Sequence, residues 1–150
     1  MKTKISSGFT LVELLVVVSL IGILTTLVVA NLNSARERAR DASRKSDLRN
    51  IQTGLRLYYN DIGQFPLSSS GDVVACDGTC TWGEAWINDS ITYMNTLPSD
   101  PLSDQSYVYT YVDDDSYTLK SCLENASDDK GEVEVDSDWC VSEWKYEVSP

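Results

Sequence analysis

Residues 8–30 read GFTLVELLVVVSLIGILTTLVVA, an apolar run interrupted near its start by one carboxylate, Glu13. An ionised side chain degrades a membrane helix, at about 2.5–3.5 kcal/mol near the bilayer centre on insertion scales. Glu13 therefore calls for a partner, and its surroundings decide how the whole chain is read. Between Glu13 and Arg36 lie 22 residues without a charge. About 20 apolar residues cross a hydrocarbon core as a helix, so the run is long enough. Lys2 and Lys4 precede it and place the N-terminus on the cytoplasmic side. As a secretory signal cleaved after Ala30, its apolar core would exceed the usual ~7–15 residues and would carry a carboxylate. A plain, uncleaved signal anchor satisfies the length and leaves Glu13 without a partner.

Outward from this run, the charge is unevenly spread. Residues 9–60 hold seven Arg/Lys against four Asp/Glu, whereas residues 61–150 hold three Lys against nineteen Asp/Glu, within a total of −11. Such an acidic C-terminal part repels phosphates, which argues against a nucleic-acid partner. Its length, about 115 residues beyond the leader and apolar run, suits one domain. All four cysteines, Cys76, Cys80, Cys122 and Cys140, lie in it. An even number downstream of a membrane segment points to disulfides in an oxidising compartment, with buried free thiols as the alternative. Histidine is absent, which removes the usual general base and the commonest metal ligand. There is no G-x-S-x-G, P-loop or Gly-rich dinucleotide turn, so the reading is of a non-enzyme.

The leader ending in Gly8, followed by Phe9-Thr10-Leu11-Val12-Glu13-Leu14-Leu15, resembles the prepilin cleavage and methylation signature of type IV pilins and type II secretion pseudopilins. Weaker similarities run through Gly63-Gln64-Phe65-Pro66 and Leu97-Pro98-Ser99-Asp100-Pro101, which resemble the major pseudopilin and similar short pilins. The resemblance implies a cut between Gly8 and Phe9 by a prepilin peptidase and N-methylation of Phe9. It implies a single-pass inner-membrane precursor, held in lipid and passed by an assembly platform into an extracytoplasmic homo-oligomeric filament. The chain departs from many major pilins in lacking a proline late in the apolar run, which here reads Thr25-Thr26-Leu27-Val28-Val29-Ala30. Cleavage would free an α-amine on Phe9, a group that titrates at about 7.7–8.0 in short peptides. Glu13 lies four residues on, one helical turn, and can face that amine or the amine of a neighbouring subunit. The alternative is a monomeric membrane-anchored domain that uses the same head for binding or adhesion.

The resulting expectation is an α+β, pilin-like fold in four parts: leader 1–8, membrane or filament-core half-helix 9–35, soluble half-helix 36–62, and acidic head 63–150. Leu32, Ala35, Ala39 and Ala42 form a narrow stripe, and Leu48, Ile51, Leu55, Tyr58 and Ile62 a wider apolar face. Gly63 and Pro66 end the helix, giving a rod of about 77 Å at 1.5 Å per residue. Asp41 and Lys45 form an i, i+4 pair. The basic cluster Arg36, Arg38, Arg40, Arg44 and Lys45 is assigned to a solvated face or to the acidic head of the next subunit, with a DNA-contacting patch as the alternative.

In the head, residues 67–71 read as a loop, and Ser90 as the cap of a short helix over 91–96 that Pro98 stops. Trp82 and Trp86 are expected against the long helix. The alternation Tyr107-Val108-Tyr109-Thr110-Tyr111-Val112 predicts a strand, turned by Asp113–Asp115 and returned from Tyr117 to Leu123. Glu132–Val135 and residues 141–148 supply further strands. Cys76 and Cys80 bracket a tight turn, and Cys122 with Cys140 ties the last strand to the sheet. The acidic loop with Asp128, Asp129 and Glu132 offers oxygen ligands of the kind calcium takes. The resemblance to the major pseudopilin, which binds calcium in its C-terminal loops, implies the same, but no ligand-by-ligand register fits. A solvated loop without a cofactor is the competing expectation.

Overall fold

The computed structural model describes residues 9–74, 76, 80–133, 139–140 and 142–150. One helix, α1 (Leu11–Ile62), opens the chain. Gly63 stops it: with φ of 82° it takes the left-handed conformation of a helix cap, and its N–H donates to the Tyr59 carbonyl at 2.8 Å. Two compact units divide after Arg36, the first Met1–Arg36 and the second Glu37–Pro150.

Within the second unit, Leu48, Ile51, Leu55 and Tyr58 are buried as one face of α1, while Ile62, expected to continue it, is exposed. Full burial of an aliphatic side chain contributes roughly 1.5–3 kcal/mol, so this face carries a domain. Three antiparallel assemblies follow it. The first is a small hairpin of β1 (Ser68–Ser69) and β2 (Asp72–Val73), in place of the expected plain loop. The second pairs β3 (Trp86–Asn88) with β4 (Ile91–Met94). The third is a four-stranded sheet of β5 (Val108–Asp113), β6 (Ser116–Cys122), β7 (Glu132–Val133) and β8 (Trp144–Val148), in the order β5-β6-β8-β7. The fold is therefore α+β, with one long helix and small antiparallel sheets. The rest of the Glu132–Val135 alternation and Val141 lie outside the described residues.

A further expectation fails here, for a physical reason. No helix forms over 91–96. Asp89 and Ser90 both have positive φ, 48° and 67°, the signature of a two-residue type I′ hairpin turn. Ser90 thus belongs to a turn, and Ile91, Thr92 and Met94 pair with β3. Trp86 is buried and stacks on Tyr58 of α1, but Trp82 lies edge-on to Tyr107 and donates its indole N–H to Asp72 at 2.7 Å. Trp82 is partly buried against the core to which α1 contributes, and the carboxylate in reach satisfies its polar edge.

Aromatic rings hold the layers together. Tyr58 meets Trp86 and Tyr93 at 5.7 and 5.2 Å, and Phe65 meets Tyr117 at 4.6 Å. Tyr107 and Tyr109 alternate inward along their strand segment, and Tyr117 and Leu119 do the same on β6. Gly54 permits the close approach of β4 to the helix, since a Cβ there would lie 2.9 Å from both Cγ and Sδ of Met94.

Candidate functional site

Of the two residues at the expected cut, Gly8 lies outside the described residues and Phe9 is 73% exposed. In the uncleaved chain the Phe9 nitrogen is an amide, and Glu13 is engaged one residue later. The Thr10 N–H and hydroxyl both donate to Glu13 Oε2, at 2.9 and 2.7 Å, while the Glu13 N–H donates to Thr10 Oγ1 at 3.3 Å. This is a reciprocal capping box, in which the first and fourth residues satisfy each other's orphan donors. Thr10 escaped the sequence reading, although T-x-x-E before an apolar run is its signature.

Beyond the cap the 14–26 stretch of α1 is apolar on all sides and uncovered. Leu14, Val18, Ile21 and Leu24 are each more than half exposed. Its hydroxyls need nothing from outside: Ser19 donates to the Leu15 carbonyl at 2.8 Å, Thr25 to Ile21 at 2.7 Å, and Thr26 to Ile23 at 2.7 Å. Polar groups satisfied within their own helix are what an apolar medium demands. By length and composition α1 can cross a membrane.

The second site lies in the head. Arg44, its side chain fully buried, donates through Nε and Nη2 to the two oxygens of Asp100, both at 2.8 Å. Its Nη1 reaches Asp41 at 2.8 Å and Glu124 at 2.7 Å, and Nη2 reaches Gln105 at 3.2 Å. Arg40 adds a two-pronged pair with Glu124, and Lys45 pairs with Asp128. Asp41 also receives the backbone N–H groups of Glu124 and Asn125, at 3.0 and 2.9 Å. Burial alone would lower the Arg44 pKa, but Asp100, Glu124 and Asp41 outweigh it and hold the guanidinium charged. The Arg40 guanidinium, joined by Arg44 against the opposing effect of burial, lowers Glu124 to about 2.

This clasp corrects the reading of the basic cluster. Arg40, Arg44 and Lys45 serve the head of their own chain, and Asp41 pairs with Arg44 at i, i+3 rather than with Lys45. The loop carboxylates lie 56 to 84 residues away in sequence, beyond the reach of helical spacing rules. Of the three candidate calcium ligands, Asp128 is taken by Lys45 and by the Lys130 N–H, and Asp129 and Glu132 are exposed. Among the described residues no group of three or more Asp, Glu, His or Cys is placed to hold a metal ion. Both expected disulfides are formed, Cys76–Cys80 and Cys122–Cys140, with Cα separations of 5.5 and 5.2 Å. The second staples the end of β6 to the segment leading into β8.

Comparison with known families matches both regions. Residues 3–29, which contain the capped apolar start, match the prokaryotic N-terminal methylation motif. Residues 31–140, which contain the clasp and most of the head, match the type II secretion system (T2SS), protein G family. The chain belongs to that family. It is a pseudopilin, a structural subunit of a filament and of a family not known for enzymes. The pseudopilin is 33% identical to the type II secretion system core protein G of Aeromonas hydrophila over 102 residues, 67% of this chain and 71% of that one. It is 33% identical to the protein of the same name from Pseudomonas aeruginosa over 103 residues, with coverage of 67% and 71%. With the Escherichia coli K12 protein of that name it shares 29% over 114 residues, 76% and 79% of the two chains. No solved structure matches it.

Proposed function

We propose that this pseudopilin is made as a single-pass precursor with its N-terminus in the cytoplasm, cut between Gly8 and Phe9 by a prepilin peptidase, and N-methylated on Phe9. An inner-membrane platform then draws it from lipid into the pseudopilus of a type II secretion system. In the filament, segment 9–35 forms the core, 36–62 carries the acidic head, and Glu13 supplies the counter-charge for the Phe9 amine of a neighbouring subunit. The observation that carries this is the uncovered apolar start of α1, in which the one carboxylate before Arg36 sits one turn from the cut. The relatives named for secretion favour that role over motility, adhesion or DNA uptake. The clasp supports the last exclusion, because Arg40, Arg44 and Lys45 are neutralised by the head and present no phosphate-binding patch.

The capping box makes a clean test. Glutamine also serves at the fourth position of that motif, so Glu13→Gln keeps the helix cap and removes only the charge. Mass spectrometry of the exported protein is expected to show a methylated N-terminus at Phe9 for wild type and variant alike. Assembly of the variant is expected to fail, since an amine entering an apolar bundle unpaired costs about 3–5 kcal/mol. Electron microscopy should then show few filaments while cleaved subunit accumulates in the membrane. An intact Met1 would reject the processing, and normal filament yield from Glu13→Gln would refute the pairing role assigned to Glu13.

A further inference from the structure

The resemblance to the major pseudopilin implies a calcium ion in the C-terminal loops, and the donor chemistry of the described residues of this head does not fit one. Calcium takes six to eight oxygens in its shell. The carboxylates of Asp41, Asp100, Glu124 and Asp128 already have cations. Asp100 accepts two Arg44 donors and the Leu102 N–H. Asp41 accepts Arg44 and two backbone N–H groups, Glu124 accepts Arg40 and Arg44, and Asp128 accepts Lys45 and the Lys130 N–H. An ion entering this cluster would meet three positive side chains and would have to displace donors tethered to the same chain.

We propose that Arg40, Arg44 and Lys45, carried on α1, do the loop-fastening that a divalent ion would do, so that the head of this pseudopilin holds its 98–105 and 123–131 segments without calcium. The three cations sit within six consecutive residues of one helix, with Arg40 and Arg44 one turn apart. Between them they reach both segments: Arg44 spans Asp100, Gln105 and Glu124, and Lys45 extends the contact to Asp128. Arginine stays protonated at any pH a protein meets, so the cation side of this fastening is always present, whereas an ion's would vary with its concentration. The inference rests on contacts within the head and is independent of the filament reading.

The full-length protein in detergent micelles tests it. Thermal unfolding would be followed in about 1 mM CaCl2, which covers the affinities of extracellular calcium modules, and in excess EGTA. The expected result is the same Tm in both and no saturable heat when CaCl2 is titrated calorimetrically. A Tm several degrees higher in calcium, or a saturable heat, would overturn the proposal. A second arm asks whether the cations fasten the segments. Arg44→Gln should be cut several-fold faster than wild type within 98–105 and 123–131 under limited proteolysis, equally in calcium and EGTA. Cutting at the wild-type rate would overturn it. Should Arg44→Gln fail to accumulate, Lys45→Gln makes the same comparison at 123–131, because it frees only Asp128.

Discussion

The two halves of α1 share one continuous backbone and differ in almost everything else. Residues 14–26 are apolar around the full circumference and exposed, and their hydroxyls turn inward to their own carbonyls. Residues 37–62 bury one face, Leu48-Ile51-Leu55-Tyr58, and commit three cations to carboxylates of the same chain. A helix hydrophobic all round belongs in a medium or bundle supplied from outside, whereas a helix with one apolar face brings its own cover. One half of α1 is therefore completed by its chain, and the other by lipid or other subunits.

That contrast can be broken most forcefully in the core. Trp86 is fully buried against Tyr58, and Trp86→Ala should cost the head about 3–5 kcal/mol in denaturant unfolding. Leu24→Ala, an exposed site in the first half, should leave head stability unchanged. Equal losses would mean that the halves are not energetically separate.

The charges offer the next comparison. Arg44→Met keeps volume but strands Asp41 and Asp100, and should cost up to about 3–5 kcal/mol. Arg38→Met, on the exposed surface, should stay within about 0.5 kcal/mol.

Acid should loosen the same clasp more gently. Glu124 is held at about 2 against an ordinary 4.5, so the unfolded chain takes up its proton first. Its contribution is present in full above about pH 5 and fades as pH falls toward 2. Asp128, lowered by Lys45, acts in the same direction. Tm measured from pH 6 downward should fall less steeply in Glu124→Gln than in wild type, and parallel curves would remove Glu124 from the account.

The smallest effect is expected at two glycines. Gly54→Ala pushes a methyl to 2.9 Å from Met94, whose flexible side chain can give way, so a loss of about 1 kcal/mol is expected. A Cβ at Gly22 would meet nothing within 4 Å, and Gly22→Ala should leave the head's unfolding midpoint where it was.

The sequence by itself determined what local signals can carry. Periodicity marked the buried face of α1, Gly63 its end, and strict alternation the β5–β6 pair. The spacing and placement of four cysteines matched both disulfides, and the Gly8–Phe9–Glu13 pattern pointed to the pseudopilin family. Tertiary structure alone decided the partners of Arg40, Arg44 and Lys45, the hairpin at Asp89–Ser90, and the place of Trp82 beside Tyr107. The physical reason is range. A helix period or a strand alternation is set by residues a few positions apart. A salt bridge across 56 or 84 residues exists only once two surfaces have met, and there an adjacent, already folded carboxylate outcompetes the partner that helical spacing suggests.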